Sequence, residues 1–276
     1  GESLHESQAE PLAQVDRTFL ETYIAPLVKP LSLYHRYRIS GVERLPLSGP
    51  VLLVCTHSFA SYDLVLLTLQ LMQQTGRCPR ALGHKQLWFF HPLMAKLSDR
   101  IGVVAGTPDA GRQLLEAGEL VAVAPGGTRE AIRHSGQRYQ VSWQGRTGFA
   151  RLALQTGAKV VLAATPSADR IFTVYDNPVT RALYARFKLA PPLLRGLGPT
   201  LIPRPVKLTS YLSEPIVPPQ GEVTDASVAS FRDLCEQRMN ALIAEAVRGE
   251  GLGWAVAAGG GAGLLSGVMS ASGLLR

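Results

Sequence analysis

The sequence predicts an α/β fold: a single domain with a mostly parallel central sheet flanked by helices, an N-terminal helical arm and a C-terminal helix. Three observations predict it. The runs Val51-Leu52-Leu53-Val54-Cys55, Leu120-Val121-Ala122-Val123-Ala124 and Lys159-Val160-Val161-Leu162-Ala163-Ala164 are apolar without alternation, as in strands buried on both faces. Helix-period patterns separate those runs. The length of 276 residues suits one sizeable core with accessory helices.

Residues 1–37 form the expected arm, with Leu12, Val15, Phe19, Tyr23 and Leu27 on roughly one helical stripe. Pro26 and Pro30 predict a kink or break within it. The arm ends in the basic-aromatic run Tyr34-His35-Arg36-Tyr37-Arg38, which suits either a membrane surface or a solvated helix end.

Residues 38–219 hold the alternating α/β pattern. The strand from Pro50 to Thr56 leads into a helix over Leu64 to Gln74, and Thr147 to Thr156 forms a later helix with Gly157 as its C′ residue. Val206 to Ser213 alternates polar and apolar residues, which predicts an outer strand. Residues 220–250 carry the C-terminal helix, with Val228, Phe231, Cys235, Leu242 and Ala246 inward. The tail, residues 251–276, has no charge from Gly251 to Leu275, and its length nominally matches a bilayer. Gly259-Gly260-Gly261 weakens a helix there, so the tail reads as flexible or loosely associated, with a weak membrane helix as the alternative.

Apolar residues make up 46% of the chain and charged residues only 18%, while Lys and Arg outnumber Asp and Glu by 28 to 21. A basic surplus suits nucleic acid, an anionic lipid surface or an anionic cosubstrate. Zinc-finger spacing, a recognition-helix signature and aromatic-interleaved RNA motifs are all missing, which favours lipid and disfavours nucleic acid. Cys55, Cys78 and Cys235 are few and widely spaced, so no disulfide framework or metal site is expected, and a reducing compartment is. Residues 1–16 are polar and acidic, unlike a secretory signal.

The chemistry concentrates beyond two strand ends. After the first, the chain reads His57-Ser58-Phe59-Ala60-Ser61-Tyr62-Asp63. Open α/β sheets place their sites beyond the carboxyl ends of strands, and a histidine there can take a proton from an alcohol near neutral pH. Asp63 could fix its tautomer and stabilise the imidazolium, as in a serine-protease triad in which the substrate's own hydroxyl replaces the serine. Six positions on a continuous helix turn through about 240°, so the two meet only if His57 lies in the loop and the chain turns before Asp63. Taken alone, the pair equally fits a helix cap and a loop residue. After the second strand comes Pro125-Gly126-Gly127-Thr128-Arg129-Glu130, whose glycines let backbone N–H groups approach a ligand and whose charged pair lies at the same sheet edge.

In this order, strand-His…Asp-helix and later strand-Pro-Gly-Gly-Thr-Arg-Glu, the chain resembles the glycerolipid acyltransferase superfamily over roughly residues 38–219. Gly83-His84-Lys85-Gln86-Leu87, His91-Pro92-Leu93, Gly102-Val103-Val104, Gly118-Glu119-Leu120 and Tyr211-Leu212-Ser213-Glu214-Pro215-Ile216 extend the likeness. It departs in three places. Five residues separate His57 from Asp63 where lysophosphatidate acyltransferases have four. Gly126 stands where their Glu-Gly-Thr-Arg block begins with Glu. Gly106-Thr107-Pro108-Asp109 lacks their phosphate-holding Arg. The pattern resembles instead the branch of diacylglycerol acyltransferase-like proteins and phytyl ester synthases, as does His134-Ser135-Gly136-Gln137-Arg138-Tyr139, expected on a strand.

The resemblance implies an enzyme transferring a fatty acyl group from acyl-CoA or acyl carrier protein to a lipid hydroxyl, with a neutral acceptor such as diacylglycerol or a long-chain alcohol. It implies His57 as general base and Asp63 as its support. Gly126, Gly127, Thr128, Arg129 and Glu130 become substrate-binding residues, with no metal and no cofactor beyond the acyl donor. Peripheral membrane association and a membrane lipid surface as partner follow. The alternatives are lysophospholipid acylation and a lipid-binding protein with a degenerate site; an esterase lacks a Gly-x-Ser-x-Gly elbow. Cys55 reads as a buried strand residue, His84 and His91 as non-catalytic, and Trp88-Phe89-Phe90 as core or the edge of an acyl pocket. Residues 181–207 mix Arg181, Arg186, Lys188, Arg195, Arg204 and Lys207 with apolar side chains, as an interfacial surface would.

Overall fold

A computed structural model describes residues 12, 14–59, 62–83, 97–98, 100–175, 177–178, 182 and 193–251. Seven strands form the central sheet in the order β1-β9-β6-β2-β5-β3-β4. They are β1 (Arg38–Ser40), β2 (Val51–Cys55), β3 (Arg80–Gly83), β4 (Val103–Ala105), β5 (Leu120–Val123), β6 (Lys159–Ala164) and β9 (Thr209–Leu212). A separate ribbon pairs β7 (Thr173–Val174) with β8 (Leu194–Arg195).

At the centre, Val51 pairs in parallel with both Leu120 and Lys159, so β5, β2 and β6 end side by side. The antiparallel contact is at β6–β9, and β1 runs parallel to β9. Alternation along β2 divides two cores. Leu52 and Val54 join Leu115, Phe149, Leu152, Phe231 and Met239, whereas Val51, Leu53 and Cys55 join Leu66, Leu67 and Leu71. Helices therefore cover both faces, which is why β2 carries no polar residue. Truncating a fully buried Leu such as Leu115 or Leu162 to Ala would cost about 2–5 kcal/mol through the cavity left behind.

The helices in chain order are α1 (Arg17–Phe19), α2 (Ala25–Tyr34), α3 (Tyr62–Thr75), α4 (Pro108–Glu116), α5 (Gly127–Ala131), α6 (Gly148–Thr156) and α7 (Asp225–Gly249). Gly157 terminates α6 with φ 67°, the left-handed conformation glycine adopts without strain. Thr224 and Ser227 cap α7 reciprocally, and Val228, Phe231, Cys235, Met239 and Ile243 recur at helical spacing on its buried side.

Several expectations are corrected. Of the kink or break expected at the prolines, the break does not occur: the helix is distorted into a π-helical turn, Leu20–Ile24, before Pro26 and continues into α2, and Pro30 lies inside α2. The longer Ala25-to-Leu20 hydrogen bond sits directly before Pro26, whose ring would otherwise crowd the preceding turn. The run Tyr34–Arg38 presents no continuous face, since His35 and Tyr37 are buried. His35 Nδ1–H donates to Val206 O, and its Nε2 accepts from the Tyr62 hydroxyl. The segment from Thr209 to Leu212 is interior to the sheet because β1 covers its other side. His134–Tyr139 is a loop with a 3-10 turn at Ser135–Gln137, not a strand. The His84–Pro92 stretch, most of 181–192 and residues 252–276 lie outside the described residues.

Candidate active site

The parallel register of β2, β5 and β6 brings three loops to one edge of the sheet. His57 follows β2, Gly126 to Arg133 follow β5, and Asp169 lies in the 3-10 turn Pro166–Arg170 after β6. His57 is in the loop and Asp63 is in the first turn of α3, so the chain turns between them.

His57 Nδ1 lies 3.1 Å from Ser58 O. With the proton on Nδ1, that contact leaves Nε2 as the ring's proton acceptor. Burial lowers the His57 pKa below its ordinary 6.5; Arg133 and Arg146 push the same way, while Ser58 O and the Asp63 charge oppose them. The imidazole is thus neutral at pH 7. Asp63 is 1% exposed, and its Oδ1 accepts the Ser58 hydroxyl at 2.5 Å while Oδ2 accepts no hydrogen bond. Burial pushes its carboxyl up to about 6, against the lowering influences of Ser58 and His57.

The second loop reaches His57 through Glu130. The His57 N–H donates to Glu130 Oε1 at 2.8 Å, and Arg133 Nη1 lies 3.2 Å from the same oxygen. Arg133 Nη2 contacts both oxygens of Asp169 at 2.6 Å, and Asp169 also accepts the Tyr139 N–H. A buried carboxylate–guanidinium–carboxylate chain therefore joins the three loops. Burial raises the Glu130 pKa, with Arg133 and the His57 N–H acting against it.

Glycine at 126 answers a demand for space. Its φ of −60° is open to any residue, but an added Cβ would fall on the Glu130 carboxylate and lie 2.5 Å from Glu130 Cβ. Gly127 differs, with φ +52°, and its missing side chain admits Arg146, which donates to Pro125 O and Gly126 O at 2.7 Å. Thr128 and Arg129 point to solvent on α5, away from the buried chain that Glu130 joins. A cleft beside Glu130 and Arg133 is walled on one side by Phe59, Ala168, Phe172 and Val174 and on the other by Ser135, Arg138 and Asp169, and the rings of Phe59 and Phe172 meet edge-on at 5.5 Å.

Sequence reasoning singled out His57, Asp63 and Gly126–Glu130, and the structure gathers them at one sheet edge. It missed Ser58, Arg133 and Asp169. The rule that found the first two loops would have found the third: polar Ser167 and Asp169 follow the apolar β6 directly. Among the described residues, no group of three His, Cys, Asp or Glu side chains is placed to hold a metal ion.

Residues 36–165 match the family described as Acyltransferase. The chain is 28% identical over 187 residues to the Bos taurus "DGAT1/2-independent enzyme synthesizing storage lipids", covering 67% of this chain and 53% of that one. It is 33% identical over 141 residues to "Phytyl ester synthase 2, chloroplastic" of Arabidopsis thaliana, covering 48% and 20% respectively. The chain thus spans about half the length of the storage-lipid relative. Its fold resembles the crystal structure of the 1-acyl-sn-glycerophosphate acyltransferase PlsC from Thermotoga maritima, with a TM-score of 0.51 and 15% identity over 82% of this chain and 81% of that one.

Proposed function

We propose that the protein transfers a fatty acyl group from an acyl thioester, acyl-CoA or acyl carrier protein, to a lipid hydroxyl, a reading supported by the match of residues 36–165 to the family described as Acyltransferase. The observation that carries this reading is the placement of His57, Asp63 and the Gly126–Glu130 loop at the joined ends of β2 and β5. His57 Nε2 takes the hydroxyl proton as the alcohol oxygen attacks the thioester carbonyl carbon. The C–S bond then breaks, and the leaving thiolate receives that proton from the imidazolium. Asp63, buried beside the ring, offsets the imidazolium charge. The Gly127 N–H already donates to Ala124 O, so Gly126 is the glycine whose backbone would meet an oxyanion or acceptor at this loop.

A neutral acceptor is the favoured one. Arg133 at this edge is already matched by Glu130 and Asp169, and one wall of the cleft beside it, Phe59, Ala168, Phe172 and Val174, suits hydrocarbon, while Ser135 and Arg138 line the rest. Arg129 supports the second reading: an exposed cation on α5 would favour a phosphate-bearing lysophospholipid.

Peripheral attachment to a lipid surface belongs to the same proposal. Leu27, Leu33 and Leu201 are 75%, 68% and 70% exposed, and Tyr34 donates to Pro203 O, tying the arm to the 193–207 stretch. Lys29, Arg36, Arg195 and Lys207 are exposed in the same two segments, a composition suited to anionic headgroups. Among the described residues no helix is long and apolar enough to cross a membrane.

The test is product analysis with labelled acyl-CoA and a mixed pool of diacylglycerol, long-chain alcohol and lysophosphatidate. Label in neutral esters is the expected result. Label confined to phosphatidate would transfer the assignment to the second reading, and label in free fatty acid alone would sink both.

A further inference from the structure

Glu130 reaches the candidate base through its main chain. Its Oε1 accepts the main-chain N–H of His57, so the carboxylate holds the loop that carries the imidazole. Arg133 grips the same oxygen, and Asp169 grips Arg133 from the end of β6. Meanwhile the Glu130 carboxylate lies in the space a side chain at position 126 would occupy. Position 126 has backbone angles open to any residue, so emptiness there serves the approach of Glu130, one helical turn later.

We propose that Glu130 is a positioning residue for His57, its carboxylate standing in for a side chain at position 126. This changes its expected role from substrate contact to loop anchor. The Glu that the related Glu-Gly-Thr-Arg pattern has at the head of its block is thereby returned from four residues downstream. Gly126 and Glu130 form one exchangeable unit, because a carboxylate can come from either position but not from both. The inference rests on the reading of His57 as the base.

The test compares full-length wild type with Glu130→Gly, Glu130→Gln, Gly126→Glu and the double variant Gly126→Glu/Glu130→Gly. Each is assayed for acyl transfer, thermal unfolding, and the NMR shift and hydrogen exchange of the His57 amide. Loosening the loop in Glu130→Gly should lower kcat by about 100-fold, with KM within about twofold. Exchange at the His57 amide should quicken by about tenfold or more. Gly126→Glu should also lose activity, since two carboxylates then compete for one space. The double variant should recover at least about tenfold of the lost kcat and the wild-type amide shift. Glu130→Gln keeps an oxygen acceptor and should hold the amide shift while losing less kcat than Glu130→Gly.

Wild-type kcat in Glu130→Gly, a loss confined to KM, or a folded double variant with a restored amide shift and no recovered turnover would each overturn the proposal. If the double variant does not fold, Glu130→Gln decides: loss of the protected His57 amide in a folded Glu130→Gln protein overturns it. The amide measurements need no turnover, so a wild type without acyl transfer would refute the proposed reaction separately from the anchoring of His57.

Discussion

The main-chain N–H of His57 and the carboxylate of Glu130 meet at 2.8 Å although 73 positions separate them in the chain. The contact exists because β2 and β5 are parallel neighbours whose ends coincide. It couples the candidate base to the Gly-Gly loop, and through Arg133 to Asp169.

Asp63 is held against its own preference. Burial lifts its carboxyl from 3.8 to about 6, so the fold favours the protonated form and ionisation above that pH costs stability. Its contribution is therefore greatest below pH 3.8 and lost as pH rises through about 6. Asp63→Asn should stabilise the protein at pH 7.5 by up to about 3 kcal/mol, read by chemical denaturation, while lowering kcat. A less stable Asn variant would contradict this.

The same groups set the pH dependence of kcat/KM. Transfer needs neutral His57, whose pKa lies below 6.5, and ionised Asp63, whose pKa lies near 6. Activity should therefore fall on the acid side with an apparent pKa of about 6, below 6.5 and belonging to the pair. In Asp63→Asn the charge that raises the His57 pKa is gone, so the limb of any residual activity should move to lower pH. A wild-type limb above 6.5 would argue against this arrangement.

Arg133 is a buried charge between two carboxylates, and removing it leaves both uncompensated. Arg133→Met should destabilise by about 3–5 kcal/mol at pH 7, measured by urea unfolding. The loss should shrink in acid as Glu130, whose pKa burial raises, takes up a proton. Equal loss at pH 5 and pH 8 would show that packing, not charge, sets the effect.

The α/β architecture was legible because β2, β5 and β6 are apolar on both faces and separated by helix-period segments. Strand β1, of three residues, is too short to show a period, which is why β9 was misplaced at an edge. The prolines marked a distortion and not a break, because a π-helical turn before Pro26 lets the arm continue. At the site, residues directly after apolar runs stood out, as His57 and Glu130 did. Arg133 and Asp169 did not, because their pairing spans 36 positions and depends on which strands become neighbours.

The most direct measurement is the fate of labelled acyl-CoA given to wild type and to His57→Ala with the mixed acceptor pool. Wild type should place the label in a lipid ester. A folded His57→Ala protein should turn over about 100- to 10,000-fold more slowly, the range a positioned base contributes. Ester formation at the wild-type rate by His57→Ala would contradict the account.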